Sequence, residues 1–212
     1  PYTTANTDIR AGVDSVVAGD AKLWAMTVLM FGVGIFIIGA FLVVLPIINR
    51  DVYGLSGDGI RDMFVTFWLG AFVSSVALSL FKNIKRQGRL LLIAQLLGSL
   101  AILPMMTKIP HEAFLGIVFT WGLSAGVSIA MSRSIVQDAA PKDQLARVLS
   151  IYQLGFMAGA PFGAALMGWL VDAFGPYKIA MVPATGMTVL ILWMALRTPI
   201  WNLKNEAYKA KP

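Results

Sequence analysis

The sequence contains no cysteine and a single histidine. The first absence excludes disulfides, thiolate metal sites and thiol nucleophiles. His111 has Glu112 beside it but no further His, Asp or Glu at metal-ligand spacing, so no metal site is expected. G-x-S-x-G, H-E-x-x-H and a phosphate-binding loop are all missing, as are paired intramembrane aspartates. Hydrolysis and direct use of ATP therefore have no residues to carry them, and no cofactor is expected. Charge is scarce too: Asp, Glu, Lys and Arg make up 13% of the chain, against about 25% in soluble domains.

What fills the chain instead is apolar. Hydrophobic residues account for 58% and the mean hydropathy is +0.74, which marks an integral membrane protein. The isoelectric point near 9.7 points to a membrane surface and not to nucleic acid, because the basic residues sit in short loops beside apolar runs.

Residues 1–22 are polar and read as a linker, with a short amphipathic stretch from Ile9 to Val17. Leu23 to Ile48 is uncharged and, at about 1.5 Å per residue, long enough to cross a roughly 30 Å hydrocarbon core. It carries Gly32, Gly34 and Gly39, and Pro46 marks its end. Five more spans follow, at about 62–81, 90–106, 113–136, 146–173 and 179–196, and 197–212 is a polar, basic tail. The expected fold is all-α with six transmembrane helices. Six spans put both termini on one side. Arg10, Lys22, Lys82, Lys85, Arg86, Arg89, Lys142, Arg147, Arg197, Lys204, Lys209 and Lys211 share that side, against Arg50, Arg61, Lys108 and Lys178 on the other. The excess of positive charge makes the side of the termini cytoplasmic. Three helices on each side of the third loop suit a pair of inverted repeats.

Within the spans, polar residues form patterns. Thr120, Ser124, Ser128 and Ser132 recur every four residues and draw one stripe on the fourth helix; Thr66, Gly70 and Ser74 do the same on the second. Such stripes serve helix packing, with hydroxyls bonded back to the backbone, or line a polar cavity. Thr66, Ser74, Thr120, Ser124, Ser128, Arg133 and Gln153 are the candidate cavity residues. Arg133 is the one basic residue inside a span and away from its first turn; it either snorkels to the headgroups or meets an anionic substrate group at the cytoplasmic mouth. Asp62 and Asp172 lie near helix ends, and no acid sits mid-membrane. On the fifth helix Gly155, Gly159 and Gly163 form a flat strip with Pro161 among them, a face for close helix approach and a hinge.

Several stretches resemble the C-terminal half of a major facilitator superfamily transporter. They are LPIINRDVYG (45–54), KRQGRLLL (85–92), SRSIVQDAAPKDQLARVLSIYQLG (132–155) and GAPFGAALMGWLVDAFG (159–175). In the family's cytoplasmic motif, roughly G-x-x-x-D-R-x-G-R, Arg86, Gly88 and Arg89 match, whereas Lys85 replaces the Asp and Phe81 the first Gly. Only Arg147 remains where the family often has R-G-R. The resemblance implies one half of a twelve-helix, alternating-access secondary transporter, similar to the bacterial branch that exports small or amphiphilic molecules. It implies a bacterial inner membrane, a small-molecule substrate, the lipid bilayer and an N-terminal six-helix half as partners, with no nucleic acid. The first, second, fourth and fifth helices would line the cavity, and the glycine strip would be a surface where the two bundles slide. A start at Pro1 fits a piece of such a protein, with residues 1–22 as the interdomain linker. Two other readings stand beside it: a self-contained six-helix homo-oligomeric channel or scaffold, and a lipid-modifying membrane enzyme.

Overall fold

A computed structural model describes residues 20–81 and 84–203. The expected amphipathic stretch from Ile9 to Val17 and the end of the tail lie outside the described residues. Six helices among the described residues are long and apolar enough to cross a membrane: α1 (Ala21–Asp51), α2 (Gly57–Leu80), α3 (Gln87–Met106), α4 (His111–Ala139), α5 (Leu145–Phe174) and α6 (Pro176–Arg197).

Each helix is longer than its apolar core suggests, because caps and terminal polar residues extend it. Asp20 caps α1 by accepting from the Lys22 backbone N–H at 2.8 Å. The polar stretch after Ile48, expected as a loop, is mostly helical: α1 runs to Asp51 and α2 begins at Gly57. Arg61 ties Asp58 and Asp62 together along the first turns of α2 at 2.9 and 2.8 Å. Between α5 and α6, Gly175 takes φ +80°, a turn that L side chains rarely adopt, and Pro176 opens the next helix, where a missing N–H costs nothing.

Pro46 does not end α1. Ahead of it the helix widens into π geometry over Val33–Ile38 and Ala40–Val44. The Gly39 N–H bonds the Gly34 carbonyl and the Leu45 N–H the Ala40 carbonyl, five residues back in each case. The wider turn gives the Pro46 ring room against the carbonyl that an α-turn would drive into it, and the helix continues through Leu45–Asp51.

The packing has two equivalent seams. In the first, α1 lies on α5: Gly34 and Gly39 face Gly159 and Gly163 so closely that a Cβ on Gly34 would lie 2.8 Å from the Gly159 Cα, and one on Gly159 would strike the Phe31 carbonyl. In the second, α2 lies on α4: a Cβ on Gly70 would strike the Phe119 carbonyl, one on Gly122 that of Phe67, and one on Gly126 that of Ala71. Helix α3 also packs on α4, and α6 on α1. Exchanging α1–α3 with α4–α6 turns each of these pairings into the other, as two inverted three-helix repeats require.

The glycine strip therefore closes a seam inside this bundle. The expectation that it forms a sliding face between bundles is corrected: Gly159 and Gly163 are buried under α1. Pro161, whose ring leaves the Met157 carbonyl without an N–H partner, sits on the exposed side of a helix that runs unbroken from Leu145 to Phe174.

On the side of the α1–α2 and α3–α4 loops, Tyr53 donates to the Ile109 carbonyl at 3.0 Å and packs its ring on His111 and Phe114. Burial, then the neighbouring Tyr177 and Glu112, push the Tyr53 phenol above its ordinary range, so it stays protonated and keeps donating.

Gly159→Leu is expected to cost at least the ~1–3 kcal/mol of overpacking, because the obstacle is backbone that cannot rotate away. Gly168→Leu, where a Cβ meets nothing within 4 Å, should change stability by less than about 0.5 kcal/mol. Unfolding of the two variants in detergent, after confirming that both insert into the membrane, checks this. Equal losses would remove the seam from the account.

Candidate functional site: an open cleft and an enclosed chamber

The sequence treats the polar side chains of α2, α4 and α5 as one group of cavity residues, and the structure divides them. Ser74 is buried in the α2–α4 seam and donates to the Ala71 carbonyl at 3.1 Å. Thr120 is exposed and donates to Gly116 at 2.9 Å. Ser124 and Ser128 donate to the carbonyls of Thr120 and Ser124 at 3.3 and 2.7 Å. Thr66 is half-buried on α2 and lines neither of the two cavities described below. The hydroxyl hydrogens of Ser74, Thr120, Ser124 and Ser128 are spent inside their own helices, as the packing reading expects.

Arg133 and Gln153 do come together. They line a cleft of about 510 Å³ between α4 and α5, with Gln137, Ser150 and Tyr152. Arg133 lies six residues before the end of α4 at Ala139, with its side chain exposed. No carboxylate pairs with it among the described residues, so an intramembrane charge faces an open space that it shares with polar side chains and with Leu149, Leu154 and Met157. The floor of the cleft is fixed by a buried pair: Tyr152 Oη lies 2.6 Å from Ser132 Oγ. Ser132 gives its own hydrogen to the Ile129 carbonyl at 3.2 Å, which leaves the tyrosine as the donor. Ser132 thus belongs to the α4 stripe but does a different job from Ser124 and Ser128: it joins α4 to α5. Tyr152 and Gln137 carry no periodic signal in the sequence and were not expected in the site.

A second, more enclosed chamber of about 100 Å³ lies between α1, α2, α3 and α4, with Phe156 of α5 also in its wall. Ser124 and Ser128 reach it, and so does Gln95 of α3. The third helix was not among those expected to line a cavity. A lone amide in the run LLLIAQLLGSL is the signal that would have found it, because an amide in hydrocarbon needs a reason to be there.

Of the basic residues at the start of α3, Arg89 has partners in the tail. Arg86 is the residue just before α3. Gly88 lies under the backbone of Ile200, with no room for a Cβ. Arg89 donates from Nε to the Trp201 carbonyl at 3.3 Å and places its guanidinium 5.2 Å from the indole centre. The start of the tail, expected to be merely polar, is thus docked: Pro199–Asn202 forms a tight turn and Ile200 is fully buried. Gln87 reaches from the same turn of α3 to Ser134 Oγ of α4 at 2.9 Å.

With this geometry in place, comparison with known sequences decides the family. The chain matches the profile of the Major Facilitator Superfamily over residues 24–211. The chain belongs to the major facilitator superfamily. It is also similar to uncharacterised proteins of Mycobacterium bovis and of two Mycobacterium tuberculosis strains, 28% identical over 79 residues. That similarity covers 37% of this chain and 19% of each relative. As a major facilitator superfamily protein it is a multi-pass membrane protein, and the family is generally non-enzymatic.

Tyr152→Phe removes the hydrogen bond that ties α5 to Ser132 of α4. It should cost about 1 kcal/mol of stability and loosen the cleft floor. Thermal unfolding against Ser132→Ala and the double variant checks this, and the two single losses should not add.

Proposed function

We propose that the protein is one six-helix bundle of a secondary active transporter that works by alternating access, and that a second six-helix unit, preceding it in a longer chain, completes the transport path. The observation that carries the reading is the cleft between α4 and α5. A charged guanidinium, two amides and a phenol border an open space in helices otherwise built for hydrocarbon. A purely structural bundle gains nothing from an unpaired charge there, since each such group costs several kcal/mol to hold in the membrane interior.

The symmetry of the bundle supports the same reading. Helices α2 and α5 are equivalent under the exchange of repeats, and both turn large apolar side chains outward, Phe72 and Trp169 at 65% exposure each. Those faces suit lipid and the second bundle. The substrate is a small or amphiphilic molecule, with Arg133 taking an anionic group at the cytoplasmic mouth, and the transporter works as an exporter driven by an ion gradient in a bacterial inner membrane. The mycobacterial relatives are consistent with the last point.

Proteoliposomes holding the whole protein, loaded with a panel of amphiphilic dyes and fatty-acid-like anions, test this with and without a proton or sodium gradient. Gradient-dependent movement of at least one compound is expected. Arg133→Ala should lower its rate by roughly tenfold or more, the scale of one lost charge-assisted contact of ~1.5–3 kcal/mol, with Arg133→Lys intermediate. A rate untouched by Arg133→Ala takes Arg133 out of the substrate path; absence of movement under every gradient overturns the transporter reading.

A further inference from the structure

The chamber between α1, α2, α3 and α4 has a feature that packing does not explain. Gln95 is 7% exposed and lines it, yet its amide has no hydrogen-bond partner among the described residues. Its amide atoms are not sealed off as Asn49 Oδ1 and His111 Nε2 are; they keep accessible surface, so in a bundle that otherwise returns its hydroxyls to the backbone this amide is open to whatever occupies the chamber.

The walls define what can sit there. Phe41, Phe67 and Trp121 form one aromatic cluster, with centroids 4.3 to 5.9 Å apart. No ionisable side chain lines the chamber, so a charged group would lose its hydration without compensation. Ser124 and Ser128 have given their hydrogens to helix carbonyls. Gln95 is therefore the one group able to donate and accept at once. The volume, about 100 Å³, is on the scale of the roughly 150 Å³ engineered cavity that takes one benzene ring. One wall can also adjust. Val33, Ile37, Ile38 and Phe41 belong to the π-helical part of α1, and such turns recur at functional sites. Trp68 and Ile129 line the chamber while 55% and 43% exposed, which brings its edge to the outside of the bundle.

We propose that this chamber is a binding subsite for an uncharged, ring-sized apolar group that carries an amide, carbonyl or hydroxyl, with Gln95 supplying the hydrogen bond and Phe41, Phe67 and Trp121 the contact surface. Its biological sense rests on the transporter reading: the chamber would take the apolar part of the same amphiphilic molecule whose anionic group meets Arg133. Its binding chemistry does not rest on that reading.

Equilibrium binding without any gradient tests it, so a protein that binds but does not transport is told apart from one that does neither. The whole protein in lipid nanodiscs is titrated with benzamide, toluene and benzoate, and the unfolding midpoint is followed. Benzamide should raise it saturably, toluene should bind roughly three- to tenfold more weakly for want of one hydrogen bond, and benzoate should have no effect. Gln95→Leu should bring benzamide down to the level of toluene. Ala125→Phe, which fills the chamber from α4, should abolish both responses; if that variant does not fold, Gln95→Leu and the three probes decide alone. Equal responses to benzamide and toluene, a benzamide preference that survives Gln95→Leu, or no saturable response to any probe would each overturn the proposal and leave Gln95 as an amide met only by water.

Discussion

The close approach of backbone to backbone at the two glycine seams is the constraint on which the rest of the bundle depends. Lipid is as apolar as a leucine side chain, so helices in a membrane gain little from merely hiding apolar surface; they associate through dense contact. Gly34, Gly39, Gly159 and Gly163 bring α1 onto α5, and Gly70, Gly122 and Gly126 bring α2 onto α4, with carbonyls where side chains would otherwise stand. At that separation Cα–H groups meet carbonyl oxygens directly, a weak but repeated attraction. Once these pairs are fixed, α3 and α6 can only fill the flanks, and the positions of the cleft and the chamber follow.

The same density governs the polar side chains. Most hydroxyls lie within reach of their own helix, three or four residues back, and give their hydrogen there, as Thr120, Ser124, Ser128, Thr185 and Thr188 do. Such a residue is small, satisfied and able to sit against a neighbour, which is why a serine stripe says more about packing than about transport. The groups free to do chemistry are those too long to fold back on their helix: Arg133, Gln137, Gln153 and Gln95. Tyr152 is intermediate, since its ring packs in the core while its hydroxyl crosses to Ser132.

The six spans and the small-residue faces were legible in the sequence, because both depend on composition and on a period of about four residues. What was not legible was the neighbour each face meets. A period names a face of a helix and not the helix opposite, so the strip on α5 could be read as a surface between bundles when it is a seam with α1. Helix ends were read short for a related reason: hydropathy marks where apolar residues stop, whereas Asp20, Arg61 and Pro176 carry the helices on past that point. The docking of Trp201 on Arg89 joins residues 112 positions apart, and no local pattern encodes it.

The π-helical turns of α1 draw these strands together. A π-turn gives up helical hydrogen-bond geometry and is held only where the surroundings fix it. Here one side of that stretch is fixed by α5, where Gly39 meets the Gly163 backbone, and Phe41 is wedged against Phe64, Phe67 and Trp121. Pro46 lies directly downstream and cannot join an α-ladder from above. An ordinary α-turn would have to choose between the glycine contact with α5 and a continuous helix through Pro46; the wider turn keeps both. It does so by leaving the wall of the chamber less tightly wound than its neighbours, and this loosened wall faces Gln95. The close seam on one face of α1 and the chamber on its other face are thus two consequences of the same change in winding.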